Sequence, residues 1–235
     1  MIPGHTDSPN LKVKPYSKRS ANGCIMLAVE CYGGGLWHTW LDRDLGVSGR
    51  VLVRDRSSPD GKEMIKQRFV KIDKPVARVS SLCIHLKTAE ERKALSLNKE
   101  THMVPILGTA GILQKGVKEQ LTGADMDDFW KKEQEPMLLC LLAKELNVDV
   151  KDIADFELNL FDTQPACLGG LQNEFLYSAR LDNQATCFVS IEALVHYTNS
   201  DSFKNDEDVS MVCLFDHEEV GSGKFVCALS LLHHI

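Results

Sequence analysis

The sequence predicts an α/β fold in which a sheet domain is interrupted by a long β-rich block. Three observations lead there. Strand-to-helix or strand-to-turn junctions carry His5, Asp182 and the pair Glu218 and Glu219. Loops of that kind, at the carboxyl ends of parallel strands, converge on one crevice in an α/β sheet. Residues 11–87 read instead as successive strands and turns, which accounts for the long separation of His5 from Asp182 (182 − 5 = 177 positions).

Composition limits the reading further. The 235 residues are 43% hydrophobic and 26% charged, enough for one large domain or two small ones. A net charge of -6 argues against a nucleic-acid partner, which favours basic surfaces. The longest apolar run, Met137 to Ala143, is too short to cross a membrane. Met1-Ile2-Pro3-Gly4-His5 has neither the basic region nor the apolar core of a secretory signal. Cysteines stand at 24, 31, 83, 140, 167, 187, 213 and 227, with no CxxC pair and several inside apolar runs. They read as reduced core residues of a cytoplasmic protein.

Taken in order, His5-Thr6-Asp7-Ser8-Pro9 comes first. A histidine and an aspartate two apart can form a metal-binding unit, the carboxylate fixing the ring or its surroundings. The same residues also suit a plain surface turn. Lys12-Val13-Lys14 alternates, and Cys24–Glu30 is a strand candidate followed by Gly33-Gly34-Gly35. Leu36-Trp37-His38-Thr39-Trp40 is expected to place both tryptophans at core or interface surface. Gly49–Arg54 and Gln67–Ile72 read as strands around a turn at Ser58-Pro59-Asp60-Gly61. His85 lies in the apolar run Leu82–Leu86, where a satisfied core histidine is the default. Residues 88–135 read as loops with short helices. Pro136 opens a helix through Leu146, proline being tolerated in the first turn. Phe156–Phe161 alternates as a strand, Leu168-Gly169-Gly170-Leu171 reads as a turn, and Phe175–Leu181 leads to Asp182. From Ala185 the apolar spacing turns helical, with Phe188, Ile191 and Val195 on one face. Asp182 is then either a helix cap or a site residue.

The chemistry concentrates at Phe215-Asp216-His217-Glu218-Glu219-Val220-Gly221-Ser222, directly after the apolar run Val209–Leu214. Two adjacent carboxylates at the end of a buried strand are costly without a use. A solvated acidic turn is one reading. A metal hydrolase is the other: one glutamate holds the metal and its neighbour moves a proton. A third carboxylate, Asp182, has the chemistry to bridge two cations.

Six stretches together carry a resemblance. They are His5-Thr6-Asp7-Ser8-Pro9, Ile84-His85-Leu86, His102–Leu107, Asp162-Thr163-Gln164-Pro165-Ala166, Arg180-Leu181-Asp182-Asn183 and Asp216–Ser222. In this order they resemble the aspartyl aminopeptidases, the co-catalytic zinc peptidases of family M18. The resemblance implies a zinc-exopeptidase-like sheet domain with helices on both faces and an inserted β-rich dimerisation domain. It places catalytic segments at 1–9 and 167–235 and the insertion at 10–166. It implies two zinc ions, with His5 and Glu219 as metal ligands, Asp182 bridging both ions, Glu218 as general base and acid, and Asp7 orienting the site. It implies that His85 reaches a neighbouring subunit's active site. It further implies a dimer-based homo-oligomer, a dodecamer in the family, that removes amino-terminal Asp or Glu from peptides.

The sequence also departs from the family pattern. Against that pattern the chain reads as truncated at both ends, with a divergent tail from 223, and the expectation is an inactive fragment. The alternatives are a non-catalytic oligomerisation module that joins longer subunits, or another co-catalytic metal aminopeptidase of the same fold.

Overall fold

A computed structural model describes residues 2–56, 63–112, 121 and 128–221. Its strands are β1 (Ile2–His5), β2 (Asn10–Ala21), β3 (Cys24–Tyr32), β4 (Leu45–Asp55), β5 (Met64–Ala77), β6 (Ile106–Thr109), β7 (Ile153–Asp162), β8 (Cys167–Gly169), β9 (Phe175–Tyr177) and β10 (Val212–Phe215). The helices are α1 (Ala89–Lys93), α2 (Phe129–Lys132), α3 (Pro136–Leu146) and α4 (Leu181–Thr198). The fold is mixed α/β, and most of its strand pairing is antiparallel. The chain divides into two units. One draws on Met1–Pro9, Tyr32–Gly35 and Pro165–Ile235, so far as these are described, and the other on Asn10–Cys31 and Leu36–Gln164.

The larger unit is built on a six-stranded sheet in the order β5-β4-β7-β2-β3-β6. Its strands show the burial that period-two patterning produces. Leu11 and Val13 in β2, Ile25, Leu27 and Val29 in β3, and Val51 and Val53 in β4 are buried at alternate positions. Strands β4 and β5 form a long antiparallel pair from Leu45 opposite Ala77 to Asp55 opposite Met64. The turn expected at residues 58–61 lies outside the described residues. Gly46 lets strands approach closely: a Cβ there would stand 2.4 Å from the carbonyl oxygen of Ile72.

Helix α3 seals the core. Pro136 sits in its first turn, Glu135 accepts the N–H of Met137, and Asn147 ends it in the left-handed region at φ 53°. Leu138, Leu139, Leu142, Ala143 and Leu146 are buried, each leucine stabilising the fold by roughly 1.5–3 kcal/mol through removal from water. A buried polar knot fixes the helix start. The Ser17 hydroxyl donates to Gln134 Oε1 at 2.7 Å and accepts the Glu135 N–H at 2.9 Å, while Gln134 Nε2 donates to the carbonyl of Pro15 at 2.6 Å. Every one of these buried polar atoms thereby has a partner.

One expectation for this unit is met and two are corrected. Trp37–Trp40 forms a 3₁₀ turn that puts Trp37 in the core and packs Trp40 against it. With three residues per turn, i and i+3 eclipse, and the two indole rings lie 6.2 Å apart, with Trp37 buried. β6 falls in a stretch read as loop, because four residues at a sheet edge give too short a pattern to register. His85 is not a core residue: it stands on an exposed 3₁₀ turn, Ile84–Leu86, with Leu82, Ile84 and Leu86 themselves exposed.

The smaller unit holds β1 and β10 as a parallel pair, the β8–β9 hairpin and α4. Phe175 and Tyr177, two apart on the same face of β9, stack with ring centroids 6.1 Å apart. Helix α4 forms where its periodicity predicts, and the face it buries is not the apolar one. Cys187 and Ser190 are buried, whereas Phe188, Ile191 and Val195 are 66%, 45% and 49% exposed. Two strands offer α4 a narrow surface, so the wide apolar stripe is left uncovered among the described residues. Helices on both faces of a wide sheet are not what this unit shows among the described residues. No helix among them is long and apolar enough to cross a membrane.

Candidate metal centre

His5 ends β1 and Phe215 ends β10, paired in parallel register. Parallel pairing brings both carboxyl ends to the same side, so the segments that follow each strand meet. The Thr6 N–H donates to the carbonyl of Phe215 at 2.8 Å and continues the ladder one step. Asp7 follows, and its side chain is only 7% exposed. Its Oδ1 accepts the Glu218 N–H at 3.2 Å, and its Oδ2 accepts the Glu219 N–H at 3.1 Å. The tyrosine hydroxyl of Tyr32 donates to the same Oδ2 at 2.9 Å. Burial pushes the Asp7 carboxyl up, but the bonds from Glu219, Tyr32 and Glu218 together outweigh it and hold the group below the ordinary carboxylate range.

His5 is held on three sides. Its N–H donates to Asn183 Oδ1 at 3.0 Å, and its carbonyl accepts the Cys187 thiol at 3.0 Å. Its ring Nδ1 lies 3.0 Å from the backbone carbonyl of Asp7. A carbonyl only accepts, so Nδ1 carries the proton in the neutral ring and Nε2 presents a lone pair. That lone pair faces anions: Nε2 is 3.2 Å from Asp182 Oδ1 and 3.9 Å from Glu218 Oε2. Burial lowers the tendency of His5 to protonate. The Asp7 carbonyl, the Glu218 charge, Asp182 and the Asp7 charge overcome it and raise the pKa. Burial and the adjacent charge of Glu218 push Glu219 up, against the pull of His5. The site therefore favours a positive charge at its centre.

The ligand atoms of His5, Glu218 and Glu219 lie within 4.8 Å of one another. One imidazole nitrogen and carboxylate oxygens are a donor set that suits zinc. Asp182 joins through His5, with its own side chain 89% exposed. Its backbone is non-helical, its peptide bond to Asn183 is cis, and the cap position before α4 belongs to Arg180. The sequence-derived residues His5, Asp7, Asp182, Glu218 and Glu219 are thus brought together. His85 belongs to the other unit. Tyr32, Asn183, Cys187 and His217 are contacts that the sequence reading gave no role. Only the Tyr32-Gly33-Gly34-Gly35 step at the end of β3 offered a signal, a strand running abruptly into a flexible loop.

An imidazole and a carboxylate cluster at the carboxyl ends of parallel strands form a group that could hold a metal ion. The chain belongs to the M18 peptidase family: the model described as aminopeptidase I zinc metalloprotease (M18) matches residues 1–233. It is similar to the aspartyl aminopeptidase of Aspergillus oryzae, with 42% identity over 94% of this chain and 46% of that protein. It is similar to the aspartyl aminopeptidase of Caenorhabditis elegans, with 38% identity over 98% of this chain and 48% of that one. Among solved structures, a chain of the cryo-EM complex of Ape4 and Nbr1 superposes with a TM-score of 0.81 at 40% identity, over 97% of this chain and 43% of its own. The mApe1 dodecamer of Saccharomyces cerevisiae gives a TM-score of 0.72 at 29% identity, over 97% and 48%. The chain thus spans under half the length of these relatives.

Proposed function

We propose that this chain carries part of a two-zinc aminopeptidase centre that removes Asp or Glu from the amino terminus of peptides. The observation that carries the reading is the His5 Nε2 lone pair aimed among carboxylates, with the opposite ring nitrogen pinned by the Asp7 carbonyl. In this reading His5 and Glu219 would hold zinc and Asp182 would be shared between two ions. Zinc would supply Lewis acidity and make water a better proton donor. Glu218 would take a proton from the water and return it to the leaving amine. Asp7 works one step back, holding the backbone of both glutamates.

Two three-ligand zinc sites sharing one carboxylate need about five protein donors. Among the described residues, His5, Asp182 and Glu219 supply part of that set. We assign residues 10–166 to a dimerisation domain within a dimer-based homo-oligomer, by analogy with the mApe1 dodecamer. The exposed His85 turn is the element offered to a neighbouring subunit. A cytoplasmic setting, where thiols stay reduced, fits the cysteine pattern of the sequence.

The test is zinc content per chain together with hydrolysis of an aspartyl amide, with Glu218→Gln in parallel. Substoichiometric zinc that His5→Ala abolishes, with no turnover, supports the reading. Failure of the purified folded chain to take up any zinc overturns it. Turnover that depends on Glu218 would show that the chain completes its own centre.

A further inference from the structure

We infer that Tyr32 and Gly33 form a positioning clamp for the acidic turn, setting where Glu218 and Glu219 stand. The Tyr32 hydroxyl donates to Asp7 Oδ2 and lies 3.0 Å from His217 Nδ1. A hydroxyl has one proton. With that proton on Asp7, the oxygen accepts from His217 Nδ1–H. A continuous chain of hydrogen bonds then runs from His217 through Tyr32 and Asp7 to the N–H of Glu219. His217 itself sits at φ 68°, a conformation that a non-glycine residue holds only with local support. The next residue after Tyr32 closes on the same turn. Gly33 has φ +83°, and a Cβ there would fall 2.8 Å from Glu219 Cβ and 3.4 Å from its Oε2. Gly34 faces nothing within 4 Å. The loop thus meets the site through two adjacent residues, one bonding and one making room.

The clamp stands on geometry alone. Only its zinc readout rests on the metal centre proposed above. The experiment uses the whole chain and four proteins: wild type, Tyr32→Phe, Gly33→Ala and Gly34→Ala. Hydrogen–deuterium exchange is followed at the amides of Glu218 and Glu219, with thermal unfolding as the control for global stability. Zinc affinity is then measured by competition with a chromophoric chelator. Tyr32→Phe and Gly33→Ala are expected to speed exchange at these two amides by about tenfold or more. Both are expected to weaken zinc binding by about 10–100-fold, the usual range for supporting residues around a metal. Gly34→Ala is expected to match the wild type in both readouts. Unchanged exchange at Glu218 and Glu219 in Tyr32→Phe overturns the clamp. If the wild type takes up no zinc, the metal reading fails and exchange still decides the clamp. If a variant loses its unfolding transition, the other carries the test.

Discussion

His5 pairs with Phe215 in parallel register, so residues 210 positions apart (215 − 5 = 210) end their strands side by side. Everything chemical in the smaller unit follows from that register. A slip of one residue reverses which face each side chain occupies. It would also carry Asp7 away from the two amide groups it binds.

Removal of a ligand should cost more than removal of a support. His5→Ala and Glu219→Gln are each expected to lower zinc affinity by more than about 100-fold, and Asp7→Asn by about 10–100-fold. Chelator competition at fixed pH measures both, and equal losses for all three variants would contradict the distinction drawn between them.

Gly46 lies against the carbonyl of Ile72 and the ring of Phe161. Because its nearest neighbour is backbone, Gly46→Ala forces β4 and β5 apart. A loss of about 1–3 kcal/mol in urea unfolding is expected, as for other overpacked sites.

Leu142 is fully buried between α3 and the sheet. Leu142→Ala should cost about 2–5 kcal/mol, the transfer cost plus the cavity left behind. Zinc uptake should be unaffected in protein that remains folded, since His5, Glu218 and Glu219 belong to the other unit.

Acid should weaken the larger unit through Glu157. Its carboxylate accepts from Lys12 Nζ at 2.5 Å and pairs with Arg50 at 2.6 Å. The Lys12 bond, against burial and with the help of Arg50, holds its pKa below the ordinary value. A depressed carboxylate stabilises the fold above its unfolded pKa, about 4.3, and loses that contribution as pH falls through the folded value. The groups are partly exposed, so the amount is below about 1 kcal/mol. Glu157→Gln should flatten the stability profile below about pH 4.3, as followed by urea midpoints across pH.

The uncovered stripe of α4 makes a prediction about surface chemistry. Phe188, Ile191 and Val195 together form an exposed apolar patch of the kind that binds hydrophobic dyes or other chains. The double variant Phe188→Lys/Val195→Lys should bind less anilinonaphthalene sulfonate and sediment with less self-association than the wild type.

Much of this was legible in the residues. β3, β4, β5 and β7 announce themselves by alternation, and α3 by proline followed by a dense apolar run. His5, Asp182 and the two glutamates stand out because charged groups at strand ends need a reason. The inward face of α4 was not legible, because periodicity reports which residues are apolar, not how much sheet is present to cover them. Tyr32 was passed over because its meaning depends on Asp7 and His217, partners 25 and 185 positions away (32 − 7 and 217 − 32), and no local pattern encodes that meeting.

The pairing of β1 with β10 also sets an order of events at the ribosome. Ile2 leaves the exit tunnel before Val212 and finds it only after 210 further residues are made (212 − 2 = 210). At 5–20 residues per second that is a wait of roughly 10–40 s. The larger unit has all of its strands in hand before then, since β7 ends at Asp162. Its sheet can therefore be complete while β1, with His5 at its tip, still waits for β10, its partner among the described strands. Nascent chains halted before residue 212 should protect the interior of the larger unit from protease while leaving residues 2–5 open to it.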